Sequence, residues 1–140
     1  MIEHIQNTYK AIDADSLKQG IIRELYTEDV VFLDPFHRIE GMEALQTYFT
    51  QFYKNVHSID FAYGEAAQHD DIIFMEWAMT LRHPKLRRGS PVQVDGTTRF
   101  QIRDGRVCLH RDYMDTAQML YENLPILGGV IRSIKQRMGQ

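Results

Sequence analysis

Four side chains carry the residue types needed to move protons: Asp34, Tyr9, His110 and Asp112. Asp34 stands in FLDPFHRIEG (32–41), an apolar setting with Pro35 directly behind it. A carboxyl desolvated among Phe32, Phe36 and Trp77 would have its pKa raised toward the range useful to a general base. Positioned acid–base catalysis contributes about 10² to 10⁴ in rate. Asp-Pro also starts turns, with the carboxylate bonding a nearby backbone amide, and both readings stay open. Tyr9 falls on the apolar stripe of its helix, as a core tyrosine with a polar partner or as a donor to a developing oxyanion. His110 and Asp112 alternate onto one face of VCLHRDYMD together with Cys108 and Met114. Two residues apart on a strand, they are read as addressing one ligand rather than bonding each other. In the opposite register Arg111, Tyr113 and Asp115 would face inward instead.

Other polar clusters point to simpler roles. The histidines at 4, 37, 57, 69, 83 and 110 show no HxH or HExxH spacing, so no metal and no cofactor are expected. His37 and Arg38 read as solvated loop residues. HPKLRR (83–88) reads as a solvated hairpin tip, and Cys108 as small core packing. A net charge of -3 over 140 residues gives no electrostatic reason to expect nucleic acid. One cysteine excludes an internal disulfide framework. No run is long and apolar enough for a signal peptide or a membrane span. The expectation is a single cytoplasmic domain over 1–140.

These groups need elements to hold them. Ile2, Ile5, Tyr9 and Ile12 share one helical face. Asp13, Asp15 and Ser16 are cap candidates for a second helix carrying Leu17, Ile21, Ile22 and Leu25. VVFLD reads as a strand, and a third helix after Gly41 carries Leu45, Tyr48, Phe49, Phe52 and Tyr53. SIDFAYGEAAQH and IIFMEWAMTLRH form a hairpin across Asp70 and Asp71. VQVDGTTRFQI turns Val92, Val94, Gly96, Thr98, Phe100 and Ile102 to one side, and Gln93, Asp95, Thr97, Arg99 and Gln101 to the other. An Asp-Gly turn leads into the last strand. The C-terminal segment reads as a helix broken near Pro125, with Leu127, Val130, Ile131, Ile134 and Met138 in a stripe. Gly128 and Gly129 mark a hinge or a close approach. The layout is α+β: a cone-shaped half-barrel of strongly bent, mostly antiparallel sheet wrapped around N-terminal helices and closed by a C-terminal helix. Tyr9, Phe32, Asp34, Tyr48, Phe52, Trp77, Thr98, Phe100, His110, Asp112, Met114 and part of the last helix would wall an apolar pocket.

Tyr9 on the first helix, a strand ending in LDP before a glycine and a helix, and the DGRVCLHRDYMD hairpin together resemble the nuclear-transport-factor-2-like superfamily. The similarity is to its SnoaL-like and ketosteroid-isomerase-like branch and covers nearly the whole chain. It implies Asp34 as general base and Tyr9 as oxyanion donor. The second oxyanion acid of ketosteroid isomerases falls at Thr98, which lacks that acidity. Asp112 matches an aspartate of limonene epoxide hydrolase, but the Arg-x-Asp pair of that enzyme is replaced by Trp77, Ala78 and Met79, which disfavours epoxide hydrolysis. Polyketide cyclases of the SnoaL type use one acid/base aspartate, a role open to Asp34 or Asp112. The expected function is cofactor-independent proton transfer, isomerase-like or cyclase-like, on a small hydrophobic carbonyl compound. A non-catalytic ligand-binding or interaction module is the alternative. The resemblance also implies a homodimer through the outer sheet face, where Glu76, Thr80, Gln93, Thr97, Arg99 and Gln101 lie.

Overall fold

The computed structural model describes residues 1–119 and 127–139. Four helices open the chain: α1 (Ile2–Ala11), α2 (Ala14–Lys18), α3 (Ile21–Leu25) and, after two strands, α4 (Met42–Asn55). Asp13 caps α2 by accepting from the Ser16 amide while the Ser16 hydroxyl accepts from the Asp13 amide. The single helix expected over Leu17 to Leu25 is two helices instead. Gly20 adopts φ +86°, a left-handed conformation that ends one helix and turns the chain into the next.

The strands β1 (Tyr26–Leu33), β2 (Arg38–Glu40), β3 (Ser58–His69), β4 (Ile72–Arg82), β5 (Val92–Arg103) and β6 (Arg106–Met114) form one curved, unclosed sheet in the order β2-β1-β6-β5-β4-β3. All pairs are antiparallel except β1 with β6. Arg38, expected in a solvated loop, belongs to the short edge strand β2 opposite Leu33. Asp70 and the Asp104–Gly105 pair supply the positive φ that the two tight hairpins require.

The concave side is packed as the alternation in β4 and β5 dictates: Ile73, Met75, Trp77, Met79 and Leu81 are buried, as are Val92, Val94, Thr98 and Phe100. Helices α1 to α4 fill the cone with Ile5, Leu17, Ile22, Leu25, Met42, Leu45 and Phe49. At Gly96 a Cβ would overlap the Trp77 ring, so only glycine lets the indole lie flat across β5. In β6 the alternation slips. The register shifts so that Gln101 pairs with Leu109 but Ile102 with Val107, leaving Cys108 as the extra residue of a bulge. Val107 is buried, and Cys108 is half-buried with its thiol on the Gln101 carbonyl. The expected common face of Cys108 with His110 is therefore broken.

Beyond β6 lie α5 (Thr116–Met119) and α6 (Leu127–Met138). The break expected at Pro125 lies outside the described residues. Gly128 and Gly129 stand in the first turn of α6, and among the described residues nothing lies within 4 Å of a Cβ placed at Gly129. Val130, Ile134 and Met138 of the expected stripe are exposed. No described helix is long and apolar enough to cross a membrane.

Candidate functional site

The open end of the cone holds a cavity of about 90 Å³. Tyr9, Phe32 and Tyr48 line it from α1, β1 and α4, and Asp34 from the turn just after β1; Phe52, Trp77, Thr98 and Phe100 from α4, β4 and β5; His110, Asp112 and Met114 from β6. No described residue of α6 takes part; Met119 of α5 lines the wall where the last helix was expected. Phe36, expected to help desolvate Asp34, is exposed and does not line the cavity.

Sheet register brings the polar groups together. Phe32, His110 and Phe100 are lateral neighbours on β1, β6 and β5, and Thr98 opposes Asp112. The His110 ring lies between Phe32 (centroids 4.4 Å apart) and the edge-on ring of Phe100 (4.9 Å). Its Nε2 is 2.7 Å from Asp112 Oδ1. His110 and Asp112 thus contact each other directly, contrary to the expectation for two residues on one strand. Their backbone separation is roughly 6.8 Å from the strand rise, a span that the imidazole covers by lying along the strand. Trp77 Nε1 donates to Thr98 Oγ1 at 2.8 Å, and Thr98 donates in turn to Asp112 Oδ1 at 2.5 Å. The one hydroxyl hydrogen of Thr98 is thereby committed to Asp112. Among the described residues nothing donates to Asp112 Oδ2.

On the far side of the imidazole, His110 Nδ1 lies 2.8 Å from the Tyr26 hydroxyl, and Tyr26 is hydrogen-bonded to Tyr9. Burial pushes the pKa values of Tyr9 and Tyr26 well above the ordinary phenol value, with the nearby Asp112 charge adding to both. Both hydroxyls are therefore donors at neutral pH rather than bases.

Asp34 sits at another part of the wall, its side chain 6% exposed. Oδ1 accepts the backbone amides of Phe36 (2.8 Å) and His37 (2.7 Å), the turn geometry anticipated for Asp-Pro. Oδ2 accepts the Tyr48 hydroxyl at 3.2 Å, and His37 Nδ1 approaches both oxygens. His37 is exposed, as expected, with its ring tilted 5.1 Å from that of Tyr48. Burial, then the Asp34 charge, raises the Tyr48 pKa. Asp34 therefore faces Tyr48 and its own turn; no bond joins it to Tyr9.

Residues 5–110 match the family profile described as the SnoaL-like domain. The chain belongs to the SnoaL-like family. Solved structures similar to this SnoaL-like chain include a protein assigned as a SnoaL-like polyketide cyclase from Jannaschia sp. CCS1 (16% identity, 85% of this chain and 88% of that one, TM-score 0.70). Another is a protein of ketosteroid-isomerase-like fold from Catenulispora acidiphila in complex with trimethylamine (14%, 89% and 92%, 0.72). A third is an LEH-like epoxide hydrolase from M. tuberculosis (21%, 96% and 92%, 0.69). No curated protein sequence matches significantly. The SnoaL-like family contains polyketide cyclases, and the shared cone fold extends to isomerases.

Several residues of the site escaped sequence reasoning in this SnoaL-like chain: Tyr26, buried behind the wall on His110 Nδ1, and the cavity-lining aromatic residues Phe61 and Tyr63 of β3, of which Phe61 meets Tyr9 and Trp77 edge-on. For β3 the alternation of Ile59, Phe61 and Tyr63 was a readable signal. For Tyr26 there was none, since its place depends on a register shift between Tyr26 and Val31. Among the described residues no three His, Cys, Asp or Glu side chains converge as a metal site would require.

Proposed function

We propose that this protein is a cofactor-independent acid–base enzyme that shifts a proton on a small hydrophobic, carbonyl-bearing molecule, in the manner of an isomerase or cyclase. The observation that carries this reading is the Asp112–His110 contact beneath a cavity whose wall also presents Tyr9. Asp112 Oδ2, the oxygen without a donor, takes a proton from the carbon next to the carbonyl. His110 Nε2 donates to Oδ1 and holds the carboxylate in place. The Tyr9 hydroxyl donates to the oxygen on which negative charge develops. Asp34, engaged by two amides and Tyr48, closes its own turn rather than serving as a base. An engineered apolar cavity of about 150 Å³ binds benzene, and a space of about 90 Å³ favours a compact substrate over a steroid.

The natural substrate need not be identified for the test. Small ketones and diketones are incubated with the protein in D₂O, and exchange at the carbon next to the carbonyl is followed by NMR. Exchange above buffer that is lost in Asp112→Asn supports the reading. Binding of the same ketones without exchange supports the second reading, a ligand-binding module. That reading is favoured by the resting state, in which the hydrogens of Thr98 and Tyr26 each find a protein partner.

We also propose a homodimer through the outer sheet face. Phe74 (47% exposed) and Tyr113 (49%) stand there beside a shallow depression floored by Ala62, Gly64 and Ala78, with Glu76 and Arg99 available for cross-pairing. Sedimentation at micromolar concentration as a clean monomer ends this proposal.

A further inference from the structure

Counting hydrogens along the buried chain constrains what Tyr9 can do. Each tyrosine hydroxyl owns one hydrogen, and a neutral imidazole owns one N–H. With Asp112 ionised, Nε2 must carry the imidazole hydrogen, because it faces carboxylate Oδ1 at 2.7 Å. Nδ1 is then an acceptor and takes the Tyr26 hydrogen across 2.8 Å. Tyr26 has nothing left to donate, so the Tyr9–Tyr26 bond must use the Tyr9 hydrogen. In this state Tyr9 offers the cavity only lone pairs.

One added proton on His110, at Nδ1, reverses every bond beyond it. Nδ1 now carries a hydrogen and donates to the Tyr26 oxygen, Tyr26 donates to Tyr9, and the Tyr9 hydrogen is released toward the cavity that Tyr9 lines. The alternative shortcut, Tyr9 directly to His110 Nδ1, spans 3.4 Å and is poor beside the 2.8 Å bond from Tyr26.

We propose that Tyr26 is a positioning residue that ties the orientation of the Tyr9 hydroxyl to the proton count of the Asp112–His110 pair. This inference rests on the acid–base reading of the site and deepens it. The added proton comes from solvent and leaves Asp112 ionised, so in this form Asp112 Oδ2 is free to take a proton from carbon while the Tyr9 hydrogen is directed at the oxygen that becomes negative. The carbon proton is taken up and returned at Oδ2, and His110 keeps its own throughout. Proton and charge balance without any other reactant.

The pair has few competitors for this control. Tyr26 reaches it from β1, Tyr9 from α1, Thr98 and the Trp77 indole from β5 and β4. The Tyr48 and Tyr53 phenols of α4 and the Tyr63 phenol of β3 lie near its members. All five tyrosines named have pKa values raised by burial and stay protonated. No lysine or arginine among the described residues lines the cavity.

The test is an NMR titration of the full chain, with ¹⁵N-histidine and ¹³Cζ-tyrosine, in wild type and Tyr26→Phe. In wild type at high pH, Nε2 is expected to be the protonated nitrogen and Nδ1 the bare one. As the pair takes up a proton, Nδ1 becomes protonated and the Tyr9 Cζ signal moves at the same midpoint. In Tyr26→Phe the His110 titration persists and the Tyr9 movement at that midpoint is lost. A bare Nε2 at high pH, a Tyr9 signal indifferent to His110 in wild type, or an undiminished Tyr9 response in Tyr26→Phe each overturns the proposal. The wild-type arm stands if the variant fails to fold. None of these readouts requires turnover, so the relay and the deuterium-exchange activity fail or stand separately.

Discussion

His110 and Asp112, two positions apart on β6, meet side chain to side chain at 2.7 Å while Thr98 donates to the same carboxylate oxygen. Asp112→Asn keeps the shape and an acceptor oxygen but removes the charge. We expect it to lower any carbonyl-directed exchange by about 10²- to 10⁴-fold and stability by about 1–3 kcal/mol. Exchange NMR and urea denaturation measure the two effects.

Asp34 behaves differently because its carboxylate closes a turn. Asp34→Asn retains an Oδ1 acceptor for the Phe36 and His37 amides. It should fold with stability within about 1 kcal/mol of wild type and keep more exchange activity than Asp112→Asn. An Asp34→Asn variant as inactive as Asp112→Asn would move the base to Asp34.

Gly96 gives the sheet room for its tryptophan. In Gly96→Ala the new methyl overlaps the Trp77 ring, and relieving it disturbs the Trp77–Thr98–Asp112 chain. Overpacking of this kind costs about 1–3 kcal/mol. Trp77 is the sole tryptophan, so a shifted emission spectrum with a lower urea midpoint reports both consequences.

Alkaline pH should unfold the protein through its buried phenols. Burial raises the pKa values of Tyr9, Tyr26, Tyr48, Tyr53 and Tyr63 in the folded state. Their contribution to stability is complete below the unfolded phenol value of about 10 and is lost as pH rises above it. Phenolate absorbance from these five should therefore appear together with loss of the folded circular-dichroism signal, not before it.

The inward faces of β4 and β5 were legible because a period of two survives unbroken from Ile73 to Leu81 and from Val92 to Phe100. Gly20 carried a readable signal for the break between α2 and α3 that a continuous apolar stripe concealed. The bulge at Cys108 left no trace in residue type, since cysteine suits either a core or a kink. The His110–Asp112 contact was missed because strand spacing alone puts the two backbones too far apart, without the length of the imidazole. Tyr26 was invisible for a deeper reason. Its hydroxyl finds His110 only through pairing between strands at opposite ends of the chain, and no local pattern encodes that.

That pairing, β1 beside β6, also sets a timetable. Tyr26 and His110 are 84 residues apart, and Tyr9 and His110 are 101. A chain emerging from the ribosome N-terminus first exhibits Tyr9, Tyr26 and Phe32 long before β6 exists to receive them. Loop closure over such a span is repaid only when the late contacts form, and apolar surface waits uncovered meanwhile. The parallel seam of the sheet and the buried proton chain are thus completed by the same late event in synthesis. A nascent chain halted before Arg106 would hold helices, the β1–β2 pair and the β3–β4–β5 meander, yet present to chaperones the rings that in the finished protein enclose His110.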